Sequence, residues 1–330
     1  MSPGCEDRGA ARYPGRARAG TILQSMNIGP FSKVADTGDC VRYQAPVRPS
    51  LSNRPAQLWF DVGGARNLDL AVSSDPALVA LLIPAMARGE DITVHGPVSA
   101  MLLHQVRGPV QAALQCMLPS LLPIRIHADD VRPAVAHERR GEVVTGFSGG
   151  VDSFCVLADH LGPKAPAGMQ ISHLIYNNVG SHSDGGEGLF HERRARLEPA
   201  VRRLGVPFIS INSNLNDFYG ESRLTFQQTH TVRNAAAALL LQSALPVYLY
   251  ASSFAFHDIA VQPGPAMARA DPVLLPMVST EAMRLMPSGT EYTRVQKTLR
   301  VAEVEASYEF LDVCVWAQHA GNCSKCWKCM

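Results

Sequence analysis

The chain has 330 residues, 46% of them apolar and 18% charged, with a net charge of +1. This composition supports one large or two ordinary domains with a sizeable core, and it excludes global disorder. The near-neutral balance gives no whole-chain reason to expect nucleic acid or a membrane surface as partner, and no run approaches the ~18 apolar residues of a membrane span.

Residues 1–40 carry Arg8, Arg12, Arg16 and Arg18 among Gly, Pro and Ala, without apolar periodicity. A disordered tail is expected there, with Met26 as an alternative initiator. The apolar core of a secretory signal is missing, and a cytoplasmic location is expected. Residues 41–135 read as a small α+β domain. Strands are expected at 57–62, 68–72, 91–95 and 124–127, and helices at 76–88 and 98–117, the latter from the spacing of Leu102, Leu103, Val106, Val110 and Leu114. His95, His104 and His127 are scattered through it and form no catalytic pattern. Residues 132–140 read as a linker.

From 141 onward strand and helix alternate. Strands are expected at 143–147, 171–177, 206–212 and 247–252. Helices are expected to begin at 154 and to cover 188–204, 229–244 and 293–301. This is the pattern of an α/β open parallel sheet with helices on both faces, and it puts ligands beyond the carboxyl ends of the strands. Residues 254–291 read as loop-rich, with His257 and Asp258 either serving a substrate pocket or forming an ordinary loop pair. Residues 308–314 read as a strand or extended run.

The first strand of this half runs into Ser148-Gly149-Gly150-Val151-Asp152-Ser153 and then a helix. Glycines let backbone N–H groups approach an anion, and a helix N-terminus adds unpaired donors and partial positive charge. The two serine hydroxyls can donate as well, and Asp152 can orient the loop or help to hold Mg2+. Asn177-Asn178 and Ser252-Ser253 fall at the ends of neighbouring strands, so three separate segments converge on one place.

Eight cysteines occur, and four of them follow the spacing C-x8-C-x2-C-x2-C from Cys314 through Cys323 and Cys326 to Cys329. Four thiolates so closely spaced suit a tetrahedral Zn2+ site, an iron–sulfur cluster or a redox-active set better than a disulfide framework. Cys155 reads as a core-facing helix residue, with a nucleophile as the alternative.

The loop and the cysteines together resemble the PP-loop (N-type) ATP pyrophosphatases, and within them 7-cyano-7-deazaguanine synthase and its relatives, which pair an SGGxDS loop with a C-terminal four-cysteine zinc site. Thr231-Val232-Arg233-Asn234 resembles that family's Gly-Arg-Asn segment, and Thr293-Arg294-Val295-Gln296-Lys297 its Thr-Lys-x-x-Ile helix start. The resemblance covers residues 143–329. It departs at the ~140 residues before the loop and at Tyr176-Asn177-Asn178-Val179-Gly180, where the family usually has Asp-Tyr-Gly.

The resemblance implies an adenine nucleotide alpha-hydrolase-like fold over 141–330, with a zinc-binding tail at 314–329. It implies ATP, Mg2+ and Zn2+ as cofactors. ATP would be cleaved to AMP and pyrophosphate to adenylate a small-molecule carboxylate for C–N bond formation. Ser148, Gly149, Gly150, Val151, Asp152 and Ser153 would hold the pyrophosphate portion. Arg233 would neutralise a phosphate or carboxylate, and Tyr176 and Asn177 would meet the nucleotide. The catalytic set is Ser148, Asp152, Ser153 and Arg233. A homodimer is one option. A tRNA-modifying or sulfur-transfer adenylase stays open, as does an inactive nucleotide-binding relative, because the chain stops one residue after Cys329.

Overall fold

The computed structural model describes residues 25–34, 40–49, 54–68, 70, 72–135, 142–182, 186–314, 321–326 and 328–330. The first half opens with β1 (Met26–Ile28), β2 (Ser32–Val34), β3 (Cys40–Arg48) and β4 (Gln57–Gly63). It continues through α1 (Asp75–Arg88), β5 (Ile92–Ser99), α2 (Ala100–Arg107), α3 (Pro109–Met117) and β6 (Ile126–Arg132). The second half runs β7 (Val143–Gly146), α4 (Val151–His160), β8 (Ile171–Asn177), α5 (Gly186–Leu204), β9 (Phe208–Ser213), α6 (His230–Leu239), β10 (Val247–Ala251), α7 (Asp271–Met277), β11 (Arg284–Ser288), α8 (Arg294–Val301) and α9 (Ser307–Phe310).

One 11-stranded sheet takes the order β11-β10-β7-β8-β9-β4-β3-β1-β5-β6, with β2 paired to β3. β11 to β9 are all parallel. β4, β3 and β1 continue the sheet antiparallel, and β5 and β6 are parallel to β1. The sheet is therefore open and mostly parallel. Side chains alternate across it as the strand period demands. Val144, Ile175, Tyr248 and Tyr250 enter a core shared with α1 and α6, while Val143, Leu174, Tyr176, Val247 and Leu249 enter a second core under α4 and α5. Helices thus cover both faces of the parallel block.

Several expectations are corrected. Residues 1–24 and 35–39 lie outside the described residues, but Met26–Ile28 is an interior strand with Met26 and Ile28 fully buried, so the disordered tail expected to reach residue 40 does not include these residues. The strand expected at 68–72 is not formed by its described residues 68, 70 and 72. The single helix expected at 98–117 is two, because Gly108 leaves helical geometry (φ −143°) and Pro109 cannot extend the ladder behind it. The loop-rich stretch contains α7 and the edge strand β11, whose Pro287 masks its strand character. Tyr308–Phe310, read as extended, lies in α9, and extended backbone begins at Leu311. Of the linker at 132–140, Arg132 closes β6 and 136–140 lie outside the described residues.

The sheet does not stop between the two halves. β9 pairs antiparallel with β4 through Phe60↔Ser213 and Gly63↔Ser210, and α1 packs on α6 in one core. α1 is buried from Asp75 to Met86, which is why its apolar residues form no narrow stripe. No helix of the described residues is long and apolar enough to cross a membrane.

Candidate functional site

The chain goes from β7 to β8 to β9 on one side, then returns to place β10 and β11 on the other. The strand order reverses between β7 and β10, and the crevice beyond their carboxyl ends is where an open α/β sheet takes a ligand. The loop after β7 is Phe147–Gly150, and the loop after β10 begins at Ser252.

Gly149 has φ +75°, where a side chain is strained. A Cβ there would also sit 2.9 Å from Leu197 Cδ2 and 3.4 Å from the Phe310 carbonyl. The turn is thus tight against α5 and the C-terminal segment. Gly150 precedes α4, and no side chain caps the helix, so its first-turn N–H groups are open to a ligand. Ser148, Gly150, Val151, Asp152 and Tyr176 line one cavity of about 420 Å³. Arg193, Arg196, Arg294 and Lys328 face it against the carboxylates of Asp152, Glu309 and Asp312.

Asp152 is committed to two cations. Its Oδ1 lies 3.0 Å from Arg294 Nη1 and 3.0 Å from Lys297 Nζ, and Lys297 also donates to the Ser252 carbonyl. Lys297 keeps 1% of its side chain exposed, so Asp152 is the carboxylate that compensates a buried charge. A capping box on Thr293 and Gln296 starts α8, and the i, i+3 spacing of Arg294 and Lys297 brings both cations to Asp152. With Asp152 neutralised in this way, the remaining cavity charges carry a positive excess that suits an anion.

Beneath the crevice, Asp271 is fully buried and accepts from Thr231 Oγ1 and Ser252 Oγ, both at 2.8 Å. Burial raises its carboxyl to about 7 despite those bonds. Cys155 is fully buried on α4, and burial pushes its thiol up to about 12, so it is a packing residue rather than a thiolate.

Four expected residues do not line the cavity. Gly149 lies beneath it. Ser153 is buried and turns its hydroxyl to the Gly150 carbonyl at 2.9 Å. Asn177 donates to Asn234 Oδ1 at 3.1 Å, away from the cavity. Arg233 is 2% exposed, donates to Val179 O and Asn216 Oδ1, and stacks 3.6 Å over the Tyr219 ring. It is a buried clamp between α6 and the segment after β8, not the cavity cation expected. His257 and Asp258 form an exposed pair 3.5 Å apart, also outside the cavity.

The second half of the site is the cysteine cluster. The Sγ atoms of Cys314, Cys323, Cys326 and Cys329 all lie within 4.8 Å of one another. Cys323 and Cys329 are 3.8 Å apart and Cys326 and Cys329 3.4 Å. Zn–S bonds of ~2.3 Å make a tetrahedron with edges of ~3.8 Å, so the set fits one such ion. An iron–sulfur cluster places several atoms between the thiolates and needs them wider apart. Asn322 latches the cluster to the preceding segment, accepting from Val313 N at 2.9 Å and donating to Leu311 O at 2.7 Å. Asp312 N donates to Gly149 O at 2.8 Å, and Cys314 itself lines the cavity. The tail is therefore a wall of the same cavity as the glycine loop.

His182, Arg193, Arg196 and Asp312 line the cavity and Lys297 pairs with Asp152, yet none of them carries a site motif in the sequence. Lys297 stands at the end of Thr293–Lys297, at the position where the Thr-Lys-x-x-Ile helix start has Ile. The i, i+3 pair Arg193 and Arg196, beside the buried Phe190 and Leu197, marks a polar stripe next to an apolar one. No family model matches the chain, and no curated protein or solved structure matches it.

Proposed function

We propose that the chain cleaves ATP between its α- and β-phosphates and transfers AMP to a small-molecule carboxylate, as the PP-loop enzymes that it resembles do. The observation that carries this reading is the Ser148–Asp152 turn opening a helix at the switch point of the sheet, in a cavity ringed by four cations. Phosphoryl and nucleotidyl transfer needs positioning and charge neutralisation more than a protein nucleophile.

In this reading the uncapped N-terminus of α4 and the Ser148 hydroxyl hold the pyrophosphate portion. Arg193, Arg196 and Arg294 neutralise the charge that builds on it. Lys297 fixes Asp152, and Asp152 fixes the loop. Mg2+ would neutralise phosphate oxygens when bound, and Asp152 could join it only by loosening its pair with Arg294 or Lys297. Zn2+ in the four-cysteine site holds the tail as a wall and takes no part in the chemistry. The fold in this reading is the adenine nucleotide alpha-hydrolase type, and the setting is cytoplasmic. The buried, unionised Cys155 speaks against a sulfur-transfer role for that residue.

Purified protein with ATP, Mg2+ and a panel of carboxylates should release pyrophosphate and AMP. Release of ADP overturns the reading. So does full activity in Ser148→Ala, for which loss of one transition-state donor predicts a fall of about 100-fold in kcat.

A further inference from the structure

One wall of the cavity is the end of a directed chain of hydrogen bonds. Asn212 Oδ1 accepts from Ser213 N at 3.0 Å, and Asn212 Nδ2 donates to Glu187 Oε1 at 2.8 Å. A backbone N–H only donates and a carboxylate only accepts, so the Asn212 amide has one orientation. Asn178 Nδ2 then donates to Asn212 Oδ1 at 2.7 Å. That turns Asn178 Oδ1 toward His182 Nδ1, 3.1 Å away, and puts the imidazole proton on Nδ1. Ser181 Oγ, also 3.1 Å from Nδ1, shares that proton as a second acceptor. Nε2 is left with its lone pair, which accepts the Tyr176 hydroxyl at 2.7 Å.

The consequence falls on the cavity. Tyr176 already donates its hydroxyl hydrogen bond to His182 Nε2, so its oxygen can offer a ligand only a lone pair. Both rings are held firmly: Tyr176 stacks on Phe190 at 5.4 Å, and His182 stands edge-on to both at 5.7 Å. His182 is 2% exposed, and burial with Arg193 nearby lowers it to about 4, so it rests neutral at neutral pH. A resting phenol backed by a neutral imidazole can take up one proton from the cavity and pass its own inward.

We propose that Tyr176 and His182 are the proton-accepting pair for a nitrogen nucleophile, ammonia or a primary amine, that attacks the adenylate. This rests on the adenylation reading and on the C–N bond formation that the resemblance implies, and it adds the residues that take the proton. The nitrogen lone pair forms the C–N bond, and the acyl C–O bond to AMP breaks with its electrons leaving on AMP. The proton shed by nitrogen moves to Tyr176 Oη while the Tyr176 proton moves to His182 Nε2. The other proton stays on His182 Nδ1, hydrogen-bonded to Asn178 Oδ1. Burial and Arg193 disfavour the imidazolium, which returns its proton to water as AMP departs.

Two measurements on the full chain test this. In protein labelled with 15N-histidine, His182 should be a neutral Nδ1–H tautomer at pH 7, and the Nε2–H tautomer overturns the proposal. The second uses the carboxylate on which the wild type releases pyrophosphate, and compares AMP formation with ammonium chloride and with hydroxylamine. Hydroxylamine attacks adenylates at neutral pH without a base. Tyr176→Phe and His182→Gln should lose about 100-fold with ammonium and stay within a few-fold of wild type with hydroxylamine. Equal losses with both nucleophiles assign the pair a structural role and overturn the step alone. Tyr176→Phe keeps the stacked ring, so it carries the test even where His182→Gln fails to fold. Wild-type protein that releases no pyrophosphate overturns the adenylation reading and this step together, whatever the tautomer.

Discussion

Asp152 and Lys297 are a pair in which one partner is far deeper than the other. Lys297 exposes 1% of its side chain and Asp152 25%. Removing the carboxylate strands the ammonium. Asp152→Ala is therefore expected to cost about 3 kcal/mol of stability, near the lower end for a broken buried pair because Asp152 keeps some solvent. Lys297→Met should cost less, since it removes the buried charge with it, and Asp152→Ala/Lys297→Met should recover part of the loss. Denaturant melts of the three variants measure this, and strict additivity would argue against the coupling. Asp271 carries a pH signature. Its carboxyl is raised from 3.8 to about 7 by burial, so the folded chain binds more protons than the unfolded one between those values. The stability it contributes is full below pH ~4 and lost as the pH rises through ~7. Asp271→Asn should flatten that fall, which melting temperatures taken from pH 4 to 8 would show.

At the scale of elements, the glycine loop and the cysteine tail are held together by Asp312 N–H to Gly149 O, while Asn322 holds the tail to itself. Metal binding at the four cysteines would therefore be coupled to loop geometry. Metal analysis should find about one zinc per chain, and Cys326→Ser should lose it together with several degrees of melting temperature. In the chelated protein, trypsin should cut first at Lys325 or Lys328, and equal protease resistance with and without metal would refute the coupling. The sequence made these two elements legible because each has a composition few other structures need: paired glycines between a strand and a helix, and thiols at metal-ligand spacing. It did not make β11 or the break at Gly108 legible. Pro287 hides a strand that pairs on one side only, and an apolar face that continues across Gly108 hides a change of axis. Arg233 misled for a related reason, since an arginine at a helix start is the same letter whether it faces a phosphate or the Tyr219 ring.

For the whole molecule, the decisive contact is between β4 and β9, which joins a sheet that residue order would divide. Such a pairing is invisible to local periodicity, because it links positions about 150 residues apart and its reward is only the burial of two edges. The helix interface of α1 on α6 seals the same junction. Residues 141–330 expressed alone should expose the β9 edge and the apolar face of α6, and aggregate. A monodisperse, folded fragment would show that the shared core is dispensable. The intact chain should lose both halves in one thermal transition, with near-ultraviolet signals from Trp59 and from the tyrosines of β10 disappearing together.

The bond between Asp312 and Gly149 also has a meaning in time. A chain is made from its N-terminus, and domains fold as they emerge. The glycine turn leaves the ribosome long before the residues that brace it. Until Asp312 and the cysteines follow, Gly149 lacks the hydrogen bond on its carbonyl and the cavity lacks a wall. A nascent or interrupted chain can thus own the whole glycine-loop sequence without owning the pocket, which is walled only once residues 312–329 have followed.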